Sequence, residues 1–149
     1  MRFLRFCGWL GCVFLSMLIL LVASLMQNPY GRLWVEGVCI DREYYLYAAS
    51  SQAKIVSGIT LFEYAFLRGE KSSFRVENEQ AAEKLAKELF NTYRATIVCV
   101  EEGVGGVSYY AYSESLGRGV LLFGTFVNLH VVVSGDAVSV GTPLIFGGY

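Results

Sequence analysis

The stretch Asn78–Val100, NEQAAEKLAKELFNTYRATIVCV, changes its hydrophobic period partway along, and that change decides the fold. In its first part Ala82, Leu85, Ala86, Leu89, Phe90 and Tyr93 recur at i, i+3, i+4, i+7, i+8 and i+11, the spacing that aligns side chains on one helix face. Asn78 is a good N-cap, so a helix is expected from Glu79 to Thr92. Glu83, Lys84, Lys87 and Glu88 form its solvated side, with Glu83 and Lys87 four residues apart. From Thr96 onward the residues become β-branched and the helical spacing stops.

Downstream, Thr96 to Glu101, Val107 to Tyr112, Val120 to Leu122, Thr125 to Val133 and Ala137 to Val140 are short strand-like runs separated by glycine-containing turns. Phe123–Gly124 and Gly135–Asp136 suit tight hairpins. Upstream, Ala53 to Ser57 and Thr60 to Arg68 read as strands split by Gly58, the second with an aromatic face of Phe62, Tyr64 and Phe66. Gly69 to Ser73 reads as a turn and Phe74 to Val76 as a short extended piece. From Val35 to Ala49, Val35, Val38, Cys39, Leu46 and Ala49 fall at helical spacing, which predicts another amphipathic helix. The expected fold is α+β: an antiparallel sheet of about five to seven strands with two helices packed on one face. Tyr109, Phe62 and their neighbours are too apolar for a fully wet second face, so part of it is expected against a partner protein, a second copy or the membrane.

One segment differs from the rest. Between Arg5 and Arg32 there is no charged residue, and Phe6 to Met26, as a helix of 21 residues, spans roughly 31 Å, close to the ~30 Å bilayer core. Residues 1–5 then form a cytoplasmic leader, 6–26 a membrane anchor, 27–32 a linker and 33–149 the extracytoplasmic domain. Arg2 and Arg5 favour the N-terminus inside. The alternative is a cleaved signal peptide and a secreted domain, with Val22, Ala23 and Ser24 as a mediocre cleavage site followed by bulky Leu25 and Met26. Cys12 does not mark a lipoprotein, because the apolar stretch follows it.

This segment accounts for much of a hydrophobic content of 54% and a mean hydropathy of +0.46 in 149 residues. The chain carries 12 basic and 13 acidic residues. Setting Arg2 and Arg5 aside leaves ten basic residues against the thirteen acidic, a formal charge of −3 on the rest. That balance, with no basic stripe, excludes a nucleic-acid partner, since duplex binding needs several phosphate-neutralising cations. Disordered, collagen-like and multi-span architectures are excluded by composition.

Candidate chemistry is sparse. His130 is the only histidine; on a strand it shares a face with Asn128 and Val132, and the structural reading is a histidine bonded to Asn128 or a nearby tyrosine. The catalytic alternative is a small thiol-dependent enzyme or redox protein using Cys99 or Cys39 with His130 as base. Cys39 and Cys99 sit among valines and isoleucines and are expected as reduced core residues, although an exported domain permits a bridge. One histidine, no CxxC and no carboxylate cluster leave no metal site, and nothing calls for a cofactor. Gly103, Val104, Gly105 and Gly106 join strand to strand, a hairpin turn rather than a phosphate loop. Adjacent Glu101 and Glu102 point to opposite faces and make a poor acid/base pair. Tyrosines cluster at Tyr44, Tyr45 and Tyr47 and at Tyr109, Tyr110 and Tyr112, and tyrosine is a good contact residue. The candidate interaction surface is therefore Tyr109, Tyr110, Tyr112, Asn128, His130 and Tyr149.

SYYAYS at Ser108 to Ser113, VNLHVVV at Val127 to Val133 and GTPLIFGGY at Gly141 to Tyr149 resemble the YwmB-like proteins of spore-forming Gram-positive bacteria. The resemblance implies a fold similar to the TATA-box-binding saddle, export through an N-terminal segment and an association with sporulation or the cell envelope. It carries over no catalytic residues. The expected function is a non-enzymatic, membrane-anchored extracytoplasmic interaction module whose partner is another protein, an envelope component or a second copy.

Overall fold

A computed structural model describes residues 12–20, 33, 39–122 and 124–146. Its centre is a seven-stranded antiparallel sheet built from β1 (Cys39–Leu46), β2 (Lys54–Val56), β3 (Leu67–Arg75), β4 (Thr96–Gly103), β5 (Gly106–Tyr112), β8 (Leu129–Ser134) and β9 (Ala137–Thr142) in the order β2-β1-β3-β9-β8-β5-β4. Strands β6 (Val120–Leu122) and β7 (Thr125–Val127) form a separate hairpin. Between the described strands lie two α-helices, α1 (Leu61–Tyr64) and α2 (Glu79–Thr92).

The α2 helix matches its sequence pattern. The Asn78 side chain accepts from the Ala81 N–H at 2.9 Å, and Ala82, Ala86, Leu89 and Tyr93 are buried. They pack on Phe74, Leu129, Val131, Val133, Val138 and Val140, which alternate along β3, β8 and β9 and so face the helix together. The helix ends in a Schellman arrangement: Ala95 N–H donates to the Phe90 carbonyl at 2.8 Å and Arg94 N–H to Asn91 at 3.1 Å. Arg94 takes the left-handed position with φ of 48°.

The structure corrects the N-terminal half. The segment read as an amphipathic helix contains β1, whose two faces both mix polar and apolar residues because its charges are paired across strands. Arg42 donates to Ser72 at 3.1 Å, and Glu43 meets the Lys71 ammonium at 3.5 Å. The supposed turn from Gly69 to Ser73 is the interior of β3, between β1 and β9, with Glu70, Lys71 and Ser72 buried. The Leu33 N–H donates to Glu70 at 2.5 Å. Gly69 is required there, since a Cβ would overlap the Thr142 carbonyl oxygen. The supposed strand from Thr60 begins instead with α1, because Thr60 and Glu63 close a capping box: Glu63 N–H donates to Thr60 Oγ1 at 3.3 Å and Thr60 N–H to Glu63 Oε2 at 3.0 Å. With no buried residue in α1, the sheet carries one covering helix among the described residues, not two. Thr125 to Val133 is likewise two strands, divided at Asn128.

Of the expected anchor, residues 12–20 are helical and exposed. Among the described residues no helix is long and apolar enough to cross a membrane. The remainder of 6–26 and the linker 27–32 lie outside the described residues, as does Tyr149.

Candidate functional site

The alternation along β5 separates the tyrosines. Tyr109 faces α2, its ring edge-on to Phe90 at 5.6 Å. Tyr110 faces the other side, stacks on His130 at 4.4 Å and donates its hydroxyl to Glu101 at 2.9 Å. Tyr112 shares the Tyr110 side at the strand end and is half-buried. The candidate surface is therefore not continuous, and of its described members only Tyr112 lines the two grooves described below.

His130 lies in a row that crosses the sheet on the face away from α2: Glu43, Lys71, Gly141, His130, Tyr110 and Cys99 stand opposite one another in register. It is 2% exposed, and burial pushes its pKa down to about 4. Its Nδ1 accepts the Ile145 N–H at 3.2 Å, which fixes the neutral tautomer with the proton on Nε2. Ile145 fills the space above Gly141, and Phe146 packs edge-on to Tyr45 at 5.2 Å while its N–H donates to the Tyr45 hydroxyl at 3.2 Å. The C-terminal segment is thereby tied to the sheet through His130 and Tyr45.

Asn128 bonds neither His130 nor the tyrosines. It is fully buried, accepts the Ser113 N–H at 2.8 Å, and donates to the carbonyls of Ser113 at 2.7 Å and Gly117 at 2.9 Å. These bonds hold the chain leaving β5 through the 3-10 turn Glu114–Leu116. Ser113 also donates to the carbonyl of Tyr93 at the end of α2.

The thiols do not converge on the imidazole. Cys99 is two strands from His130, roughly 10 Å at the usual strand spacing. Cys39 and Cys99 are five spacings apart, roughly 24 Å, far beyond the ~7 Å Cα separation a disulfide tolerates. Both are free. Gly103–Gly106 closes the β4–β5 hairpin, as its sequence indicated, and Glu101 and Glu102 line the cavity there, where they would repel phosphate.

Among the described residues, a further concave surface lies at the end of the sheet where α2, β5 and the β6–β7 hairpin meet. One groove of about 720 Å³ is lined by Arg94, Thr96, Tyr112, Glu114 and Ser115 among others. A second of about 710 Å³ is lined by Tyr112, Glu114, Arg118 and Phe126 with neighbouring glycines. The two share Tyr112 and Glu114, and both arginines and Phe126 are exposed. Sequence reading missed Arg94, Arg118 and Phe126. The one local signal was Arg94 directly after the helix end, a position that usually selects glycine.

No protein-family model, curated protein or solved structure matches the chain.

Proposed function

We propose that the protein is a membrane-anchored domain, displayed outside the membrane, that binds an exported protein or an envelope component in the double groove around Tyr112 without catalysing a reaction. The observation that carries this is the groove itself: Tyr112 and Glu114 are shared by its two halves, Arg94 lines one half, and Arg118 and exposed Phe126 line the other. A rigid aromatic ring beside one carboxylate and two guanidinium groups suits a partner that presents both acidic and basic groups beside apolar surface. Arg94 gives further support, because a non-glycine residue held at φ of 48° carries a backbone cost consistent with use of its side chain. The charge-free run from 6 to 26 supports the anchor, and the resemblance to YwmB-like proteins supports an envelope role timed to sporulation.

The test is a photoreactive amino acid in place of Phe126, with a control in place of Lys84 on the outer side of α2, in cells producing the full chain. A discrete adduct is expected from position 126 alone and should disappear with Tyr112→Ala. An adduct of twice the chain mass would identify the partner as a second copy. Equal adducts at both positions, or none, would refute the proposal. Expression confined to sporulation would support the timing, and constitutive expression would remove it.

A further inference from the structure

The largest exposed side chains of the folded domain include two at α1, where Phe62 is 86% and Leu61 72% accessible. They are held outward by the Thr60–Glu63 capping box, and the Glu63 carboxylate approaches the Lys54 ammonium of β2 at 3.9 Å. Beside them Tyr47 and Phe66, both exposed, pair at 5.2 Å, and the Tyr47 N–H donates to the Phe66 carbonyl. This apolar tip closes the end of the sheet formed by β1 and β2.

Two observations indicate what covers it. The first is the path of the chain. Leu33 is bonded to Glu70, three residues along β3 from Leu67, so the chain enters the domain about 10 Å from the tip. Six residues, 27–32, lie between Met26, the end of the apolar run, and Leu33, and the seven steps reach at most about 24 Å when fully extended. The second is charge. Between Tyr44 and Gly69 the charged residues are Lys54, Arg68 and Glu63, a net of +1, which leaves −4 on the remainder outside the leader. The tip thus carries a small positive balance within an acidic domain, which suits an anionic bilayer, together with aromatic and aliphatic side chains of the kind that favour the interface.

We propose that α1, with Tyr47 and Phe66, is a second membrane contact that seats the domain against the lipid headgroups. This rests on the anchor reading of residues 6–26. Lipid contact at the tip orients the Tyr112 groove relative to the bilayer, since the groove lies at the β4–β5 side of the sheet and the tip at the β1–β2 side.

The test uses the full chain reconstituted in phosphatidylcholine vesicles with about one third phosphatidylglycerol. An environment-sensitive fluorescent amino acid replaces Phe62 in one sample and Lys84 in the other, and lipids carry nitroxide quenchers at the headgroup or the upper acyl chain. Flotation after an alkaline wash reports the anchor separately. The expected result is flotation with at least threefold stronger quenching at position 62 than at 84, reduced by Leu61→Glu. Flotation with equal quenching at the two positions would overturn the tip contact and leave the anchor standing, as would a probe at 62 that is shielded from water yet unquenched, which would place protein there. Loss after the wash with quenching retained at 62 in unwashed vesicles would overturn the anchor and keep the contact. Neither flotation nor quenching would overturn both.

Discussion

His130 makes the stability of the domain fall with acid in a pH range where few other groups titrate. Its pKa is about 4 in the fold against 6.5 for an ordinary imidazole. Above pH 6.5 both folded and unfolded states hold it neutral, so it contributes no pH dependence. As the pH falls through 6.5 the unfolded chain takes up a proton that the fold rejects, because burial disfavours the cation and Nδ1 is already committed to the Ile145 N–H. The loss is expected to reach about 2 kcal/mol at pH 5 and level off near 3 kcal/mol below pH 4. The groups in its row are Lys71 and Glu43 on one side and Tyr110 and Cys99 on the other. Urea unfolding of the detergent-solubilised chain, followed by circular dichroism, measures the slope. In His130→Asn the side-chain oxygen replaces Nδ1 as acceptor without titrating, so the stability gap between the two proteins should narrow by about 2 kcal/mol from pH 8 to pH 5. Because the chain has one histidine, its imidazole resonance reports the titration directly. A gap that does not change with pH, or a folded-state titration near 6.5, would refute the reasoning.

Other outcomes follow from the same structure. Arg94→Gly should stabilise the fold by about 1 kcal/mol in thermal unfolding, by relieving the left-handed backbone, while weakening crosslinking at the groove; destabilisation would contradict the Schellman assignment. Leu89→Ala should cost about 3 kcal/mol, measured by urea unfolding, because its side chain lies between α2 and the sheet core. Asn128→Ala should cost about 3 kcal/mol in urea unfolding by removing two buried hydrogen bonds to Ser113 and a partly buried one to Gly117. Cys39 and Cys99 should both remain alkylatable after mild oxidation of the monomer, and mass spectrometry detecting a bond between them would contradict the strand order.

The sequence by itself determined α2, the β4–β5, β6–β7 and β8–β9 hairpins, and the two faces of β8. These depend on neighbours within a few residues: a cap, a helical period, a glycine turn, an alternation of valines. Hydrophobic Leu129, Val131 and Val133 facing one way and His130 the other are legible without knowing what they touch. Strands β1 and β3 were not legible, since Arg42, Glu43, Glu70 and Lys71 look like surface residues until partners some thirty residues away are brought beside them. The capping box at Thr60 was present in the sequence, but the aromatic alternation beside it pointed to a strand. Only the tertiary structure decided which tyrosine of β5 faces the groove, because Tyr110 is drawn onto His130, Tyr109 onto Phe90, and Tyr112 is left at the groove. It also placed Arg94 and Arg118 there, 24 residues apart in the chain, through the turn that Asn128 holds. Local pattern encodes which face a side chain occupies; long-range pairing decides what that face meets.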